Sequence, residues 1–385
     1  MDKLKLIKLN NSLNLIATVN FTGVPNLEKL VLNGCINLHE VHPSIMVLKK
    51  LTFLDLENCK SLRSLPKKFE MESLEILILS GCSKIKRIPE FMGNMKRLSK
   101  LHLNATAIMK LPSSVEHLTN LTSLQLRDCK NLVCLPSIIC SFKSLKDINL
   151  AGCSKLDSLP EKLWNVKSLE KVNVSGIALR ELPLSVVTLK NLKELSFRGC
   201  KGPPPKLLWS KLFPFNLMPK RSLSPVSLFL PSLLGLSSLT KLDLSDCNLQ
   251  TIPNDIGNLS FIKNLNLSEN HFSCLPEIIA QLSKLSVIDL RNCTRLRSLP
   301  QLPSTTEFFE ADGCTSLETF PNGLKPKDTY TTNLFLVNCF KLAGRSDMFF
   351  NVLRMLLAFH QVSLSLSLPP SLSINIYIYI CVCEF

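Results

Sequence analysis

Several things are scarce or missing in this chain of 385 residues, and each absence narrows its chemistry. No stretch of about 18 uninterrupted apolar residues occurs, the length a membrane-crossing helix needs. The best run, Met348 to Ala358, is broken by Asn351 and Arg354. The N-terminal MDKLKLIKLNN has no apolar segment followed by a small-residue cleavage site, so no secretory signal is predicted. Acids are few, 30 Asp+Glu against 45 Lys+Arg, which leaves a formal charge of +15. Six histidines (39, 42, 102, 117, 271 and 360) form no metal-spaced pair. Neither G-x-S-x-G nor H-E-x-x-H occurs, and the phosphate-cradling G-x-x-x-x-G-K-[ST] loop is absent. The expectation is a chain with no enzyme activity, no nucleotide site, no metal and no cofactor. Disorder is excluded as well, because 45% of the residues are apolar and only 19% charged.

What is there is a repeat. Aligned on its apolar residues, the chain gives the unit L-x-x-L-x-L-x-x-C-x-x-L-x-x-L-P. LEKLVLNGCINL begins at Leu27, LTFLDLENCKSL at Leu51, LEILILSGCSKI at Leu74 and LTSLQLRDCKNL at Leu121. Others begin at Leu4, Leu98, Leu145, Leu169, Leu192, Leu239, Ile262 and Leu285. Successive starts lie 23 or 24 residues apart, except for one gap of 47 after Leu192. That gap is two periods long and predicts a hidden irregular unit with its strand at Val226 to Leu230. Two degenerate units follow, around Phe309–Leu317 and Leu334–Leu342.

This is the leucine-rich-repeat signature, and it predicts an α/β repeat solenoid of about 14–15 repeats. Alternation such as Leu54-Asp55-Leu56 has the period of a half-buried strand. Each unit then adds one short strand to a concave parallel β-sheet, with rungs about 4.8 Å apart, curving into a horseshoe. The recurring Leu-Pro step blocks an amide donor and fixes φ, which turns the chain onto its return leg. One unit cannot bury its own apolar face, so stability has to come from neighbours.

Ten of the 15 cysteines (35, 59, 82, 129, 153, 200, 247, 293, 314 and 339) occupy the ninth position of the unit, where Thr106 and Asn270 also stand. A spacing of 23 or 24 residues does not suit zinc, whose ligands pair two to four residues apart. The prediction is a ladder of inward side chains that hydrogen-bond the backbone leaving each strand. With no export signal, these thiols are expected to be reduced, in the cytoplasm or the nucleus.

Two segments break the pattern. Residues 201–231 are rich in Pro and Lys, hold no acid, and interleave Trp209, Phe213 and Phe215. They read as an irregular loop in the array; binding of nucleic acid or an acidic membrane is the alternative. From about residue 346 the repeat stops, and SLSLSLPPSLS is followed by INIYIYICVCEF. Such dipeptides are what translated dinucleotide tracts give, so the tail 346–385 is read as non-coding sequence translated in error. A C-terminal strand would alternate in the same way.

FTGVPNLEKLVLNGC (Phe21 to Cys35), EVHPSIMVLKKL (Glu40 to Leu51), SLEILILSGCSKIKRIPEFMGNMKRLSKL (Ser73 to Leu101), SLTKLDLSDCNL (Ser238 to Leu249) and NCFKL resemble the repeat region of plant intracellular immune receptors. The resemblance is to the class carrying a Toll/interleukin-1-receptor-like domain, and it covers roughly residues 1–345. It implies a module that recognises a pathogen effector or a guarded host protein and restrains a nucleotide-binding domain. Neither that domain nor the signalling domain is among these residues, so a fragment of a larger receptor is expected; an independent intracellular repeat scaffold is the alternative. A protein partner, and neither nucleic acid nor a membrane span, is expected.

Alternate side chains of a strand point to opposite faces, so the third, fifth and seventh positions of each unit face outward. In the central repeats these are Lys100, His102, Asn104, Gln125, Arg127, Asn149, Lys171, Asn173 and Arg198. Farther along they are Lys241, Asp243, Asn266, Asp289 and Arg291. Polar and partly basic, they are the candidate ligand-binding residues.

Overall fold

The computed structural model describes residues 3–93, 95–179, 184–201, 233–319, 333–343 and 378–379. The predicted strand Val226 to Leu230, and all of the tail except Ile378–Tyr379, lie outside the described residues. Glu194–Ser196 nevertheless pairs directly with Lys241–Asp243, so the hidden unit expected in the 47-residue gap adds no rung between them, and the gap is an insertion in the array. The chain divides into two compact units, Met1–Leu192 and Lys193–Phe385.

In the first unit the main sheet is built from β1 (Leu6–Lys8), β2 (Lys29–Val31), β3 (Phe53–Asp55), β5 (Ile76–Ile78), β7 (Lys100–His102), β8 (Ser123–Gln125), β9 (Asp147–Asn149) and β10 (Lys171–Asn173). Every neighbouring pair is parallel and in repeat register. The central residues Leu30, Leu54, Leu77, Leu101, Leu124, Ile148 and Val172 stack on one another and are buried. In the second unit β11 (Glu194–Ser196), β12 (Lys241–Asp243), β13 (Asn264–Asn266), β14 (Val287–Asp289), β15 (Phe308–Glu310) and β16 (Asn333–Phe335) repeat the arrangement. Both degenerate units therefore carry strands. Ile378–Tyr379 (β17) pairs in parallel with β16.

Among the described residues the return legs are mostly 3-10 turns, and the one α-helix is the four-residue Phe340–Ala343 after β16. Five-residue 3-10 turns, such as Ser113–His117, Ser137–Ser141, Glu161–Asn165, Asn254–Asn258 and Glu277–Gln281, each follow the proline of the Leu-Pro step. Proline's fixed φ suits the residue ahead of the turn, and its missing donor is not needed there. The third residue of each turn (Val115, Ile139, Leu163, Ile256 and Ile279) drops into the core. Two repeats instead return as a short parallel pair, β4 (Lys68–Phe69) with β6 (Glu90–Phe91), which buries Phe69 and Phe91.

The strands are only three residues long because the eighth residue of every described repeat turns the chain in the left-handed region. Asn11, Gly34, Asn58, Gly81, Ala105, Asp128, Gly152 and Gly176 all have φ between 53° and 77°. Asn, Asp and Gly tolerate that region best. Where Asn or Asp turns its Oδ1 toward the next repeat, that repeat has glycine. A Cβ on Gly152 would lie 2.3 Å from Asp128 Oδ1, and one on Gly81 would lie 2.3 Å from Asn58 Oδ1.

Dependence on neighbours is visible at β1. Leu9 is 45% exposed, whereas Leu32, at the same position one repeat on, is 1% exposed. Leu4 is likewise exposed where Leu27, its counterpart one repeat on, is fully buried. Stacking a repeat on one side is what completes the core.

The ninth-position ladder forms as the spacing predicts. Cys59, Cys82, Cys129 and Cys153 are fully buried, and their thiols donate to Leu32 O, Leu56 O, Leu103 O and Leu126 O at 3.1–3.2 Å. Each acceptor belongs to the preceding repeat, so the ladder ties one turn to the next. Cys247, Cys293, Cys314 and Cys339 make the same contact in the second unit. Burial pushes the thiol of Cys153 up to about 12, that of Cys293 to about 12 and that of Cys339 to about 11. A raised folded-state pKa stabilises the fold below the unfolded value near 9.0 and loses that contribution as pH climbs toward 11–12. Chemical denaturation at stepped pH should accordingly show stability falling above about pH 9. At neutral pH a thiol reagent should label exposed Cys134 and Cys274 while the ladder stays unlabelled until unfolding. Rapid native labelling of Cys153 would contradict the ladder.

Candidate ligand-recognition face

In the first unit the outward side chains form columns set by the register. Lys100, Ser123, Asp147 and Lys171 make one column; His102, Gln125, Asn149 and Asn173 make the next. Gln125 Nε2 donates to Asp147 Oδ2 at 2.8 Å and to Ser123 Oγ at 3.0 Å, crossing between columns. Burial, reinforced by the charge of Lys100, holds the half-buried His102 below the ordinary imidazole value. Asn104 Oδ1 accepts from Arg127 N at 2.8 Å, and the Arg127 guanidinium reaches Asp128 at 3.2 Å on the exposed rim. Lys100 and Lys171 are exposed.

The second column also has a local duty. Asn149 Oδ1 accepts from Ala151 N, and Asn173 Oδ1 accepts from Ser175 N, both at 3.0 Å. These Asx turns satisfy an amide where the strand ends.

The polar reading does not hold for the whole face. Val31, Phe53, Ile76 and Ile78 occupy outward positions on β2, β3 and β5, each partly exposed. Asp55, buried between Val31 and Ile78 in the register, accepts from Glu57 N at 2.8 Å. Lys29 borders this apolar patch on one side, and Lys100 and His102 border it on the other. The signal was available in the sequence, since these residues stand at outward phases of the units beginning at Leu27, Leu51 and Leu74.

In the second unit Asp243, Asn266, Asp289 and Glu310 form a column. Asp243 and Asn266 accept from the amides of Ser245 and Ser268 at 3.0 Å. Lys241 pairs with Glu194 at 3.5 Å, and Arg198 is exposed. Asp289 is buried and holds Arg291 through two contacts, 3.0 Å from Nε and 2.7 Å from Nη2. Arg291 also reaches Glu310 at 3.0 Å, yet burial still raises the Glu310 carboxyl above its usual range. Asp289 and Arg291 thus form an internal ion pair as much as a presented surface. Among the described residues no cluster of His, Cys, Asp or Glu could hold a metal ion.

Comparison with known proteins places this geometry. Residues 69–158 match the family described as "Disease resistance protein RPS4B-like, leucine-rich repeats", and residues 238–259 match the general leucine-rich repeat. The chain is 40% identical to "TMV resistance protein N" of Nicotiana glutinosa over 315 residues, 81% of this chain and 26% of that one. The chain belongs to the leucine-rich repeats of plant disease resistance proteins. "Disease resistance-like protein DSC1" of Arabidopsis thaliana is 36% identical over 342 residues, 88% of this chain and 26% of its own. This resistance-type repeat region therefore spans about a quarter of the length of those curated relatives. Among solved structures, the "functional domain of InlJ from Listeria monocytogenes", which "includes a cysteine ladder", aligns with a TM-score of 0.60 at 16% identity. It covers 86% of this chain and 62% of that one, and it supports the fold alone. No helix among the described residues is long and apolar enough to cross a membrane.

Proposed function

We propose that the sheet face of the first unit binds a protein ligand in plant defence, with the apolar patch of Val31, Phe53, Ile76 and Ile78 as its centre. That patch carries the reading. Protein interfaces concentrate their energy in a few desolvated apolar residues ringed by polar ones, and here Lys29, Lys100, His102 and Gln125 supply the ring. Arg127, Asn149 and Lys171 extend it toward β10 and steer an acidic partner. Arg198, Asp243, Asp289 and Arg291 give the second unit a polar face suited to the same kind of partner. The ligand is a pathogen effector or a guarded host protein, and a nucleotide-binding domain of the same receptor competes for or shares this surface. The repeats act without catalysis of their own.

The test uses a complete receptor carrying this region. Lys100→Glu, Arg127→Glu and Lys171→Glu together, and Phe53→Ser separately, are expected to weaken co-precipitation of the elicitor at least about tenfold. Elicitor-triggered cell death should fall in parallel. Unchanged binding in both variants, with the native circular dichroism spectrum kept, would remove the assignment.

A further inference from the structure

The cations of the first unit are distributed unevenly. Near the sheet face many are paired: Lys5 with Glu28 at 2.8 Å, Arg127 with Asp128 at 3.2 Å, and Lys146 with Glu170 at 3.1 Å. On the flank that follows the ninth-position turn the picture reverses. The repeat beginning at Leu51 presents Lys60 and Arg63 there, and the next presents Lys84, Lys86 and Arg87. The two after that present Lys110 and Lys130. All seven are exposed, and among the described residues none is ion-paired. Across these four repeats, residues 60–64, 83–87, 107–110 and 130–134 contain no acid and no aromatic residue. The four repeats are consecutive in the sheet, β3 beside β5, β5 beside β7 and β7 beside β8, and Val133 N donates to Met109 O between the last two legs. Met109 (57% exposed) and Val133 (42%) stand among the cations.

We infer that this flank is an adsorption surface for an anionic lipid bilayer. Five of the seven cations are lysines, which protein interfaces disfavour and which act as point charges rather than as bidentate forks. Single-stranded nucleic acid is recognised by stacking on aromatic rings, and the flank has none. Clustered lysines with exposed aliphatic side chains between them suit a negatively charged headgroup layer, which attracts the charges and accepts the methyl groups. The surface is separate from the sheet face, so a partner can occupy one while lipid holds the other.

The experiment is sedimentation of the full chain with vesicles of phosphatidylcholine alone or of phosphatidylcholine with phosphatidylserine. Co-sedimentation with the anionic vesicles only, lost between about 0.05 and 0.5 M salt, is expected. Lys84→Glu, Lys86→Glu, Arg87→Glu and Lys110→Glu together should reduce it at least about tenfold. The control Lys143→Glu, Lys162→Glu, Lys167→Glu and Lys190→Glu changes net charge equally at exposed positions elsewhere and should cost less than about threefold. Equal losses in the two variants, equal binding to neutral vesicles, or capture by duplex DNA with the vesicles left unbound would each overturn the inference.

Discussion

Asn270→Ala is expected to destabilise the second unit by about 3–5 kcal/mol, measured by chemical denaturation. Asn270 stands where the ladder usually has cysteine and is completely buried. Its Nδ2 donates to Leu244 O at 2.9 Å, Leu267 O at 2.8 Å and Ser268 O at 3.2 Å. Its Oδ1 accepts from Cys247 N at 3.2 Å and Leu249 N at 2.9 Å. Alanine would strand two amides in a dry interior, each costing about 1–3 kcal/mol. Cysteine would restore a donor to the preceding repeat, as Cys293 does toward Leu267 O at 3.3 Å, but would accept poorly from the two amides. Asn270→Cys should therefore fall between wild type and alanine. A loss below about 1 kcal/mol in Asn270→Ala would mean that water replaces the amide.

Leu126→Ala is expected to cost about 2–5 kcal/mol, with Gln125→Ala within about 1 kcal/mol of wild type. The two are chain neighbours with opposite surroundings. Leu126 is fully buried, whereas Gln125 is partly exposed and makes its contacts with Ser123 and Asp147 on the outer face. The missing methyl groups would leave a cavity that the repeats on either side can fill only in part. Comparable losses from the two substitutions would contradict the inward and outward phases on which the whole face depends.

Those phases were legible in the sequence because burial enforces them. A leucine that must enter the core every 23 or 24 residues leaves a period no polar sequence would produce. The ladder was legible for the same reason, including the odd members Thr106 and Asn270. The left-handed turn at the eighth position was written in Asn11, Asn58, Asp128 and the interposed Gly34, Gly81 and Gly152. It is a backbone property, however, and hydrophobic periodicity does not report it. The return legs were less legible. A Leu-Pro step followed by a few residues and a buried apolar side chain fits a 3-10 turn or a short strand equally well, and the two repeats that bury Phe69 and Phe91 there form the strand. At the face, the outward phase was legible but the local contacts of those side chains were hidden. Nothing in the spacing of Asp289 and Arg291 says that the two are locked together, or that Asn149 is tied to the amide of Ala151.

The Asx turns bear on how such a surface diversifies. Where the fifth position holds Asp or Asn, the side chain faces outward but also closes the strand end through an oxygen, as Asp55, Asn149, Asn173, Asp243, Asn266 and Asp289 do. Val31 and Ile78 at the same position have no such oxygen. Replacing that Asp or Asn changes the outward surface and loosens a turn in the same stroke. The third position carries no such obligation: Lys29, Phe53, Ile76, Lys100, Ser123, Asp147 and Lys171 differ in size, charge and polarity along one column without disturbing the register. Substitution can therefore rewrite that column residue by residue at little cost in stability, while the Asp and Asn members of the adjacent column are tied to the turns they close.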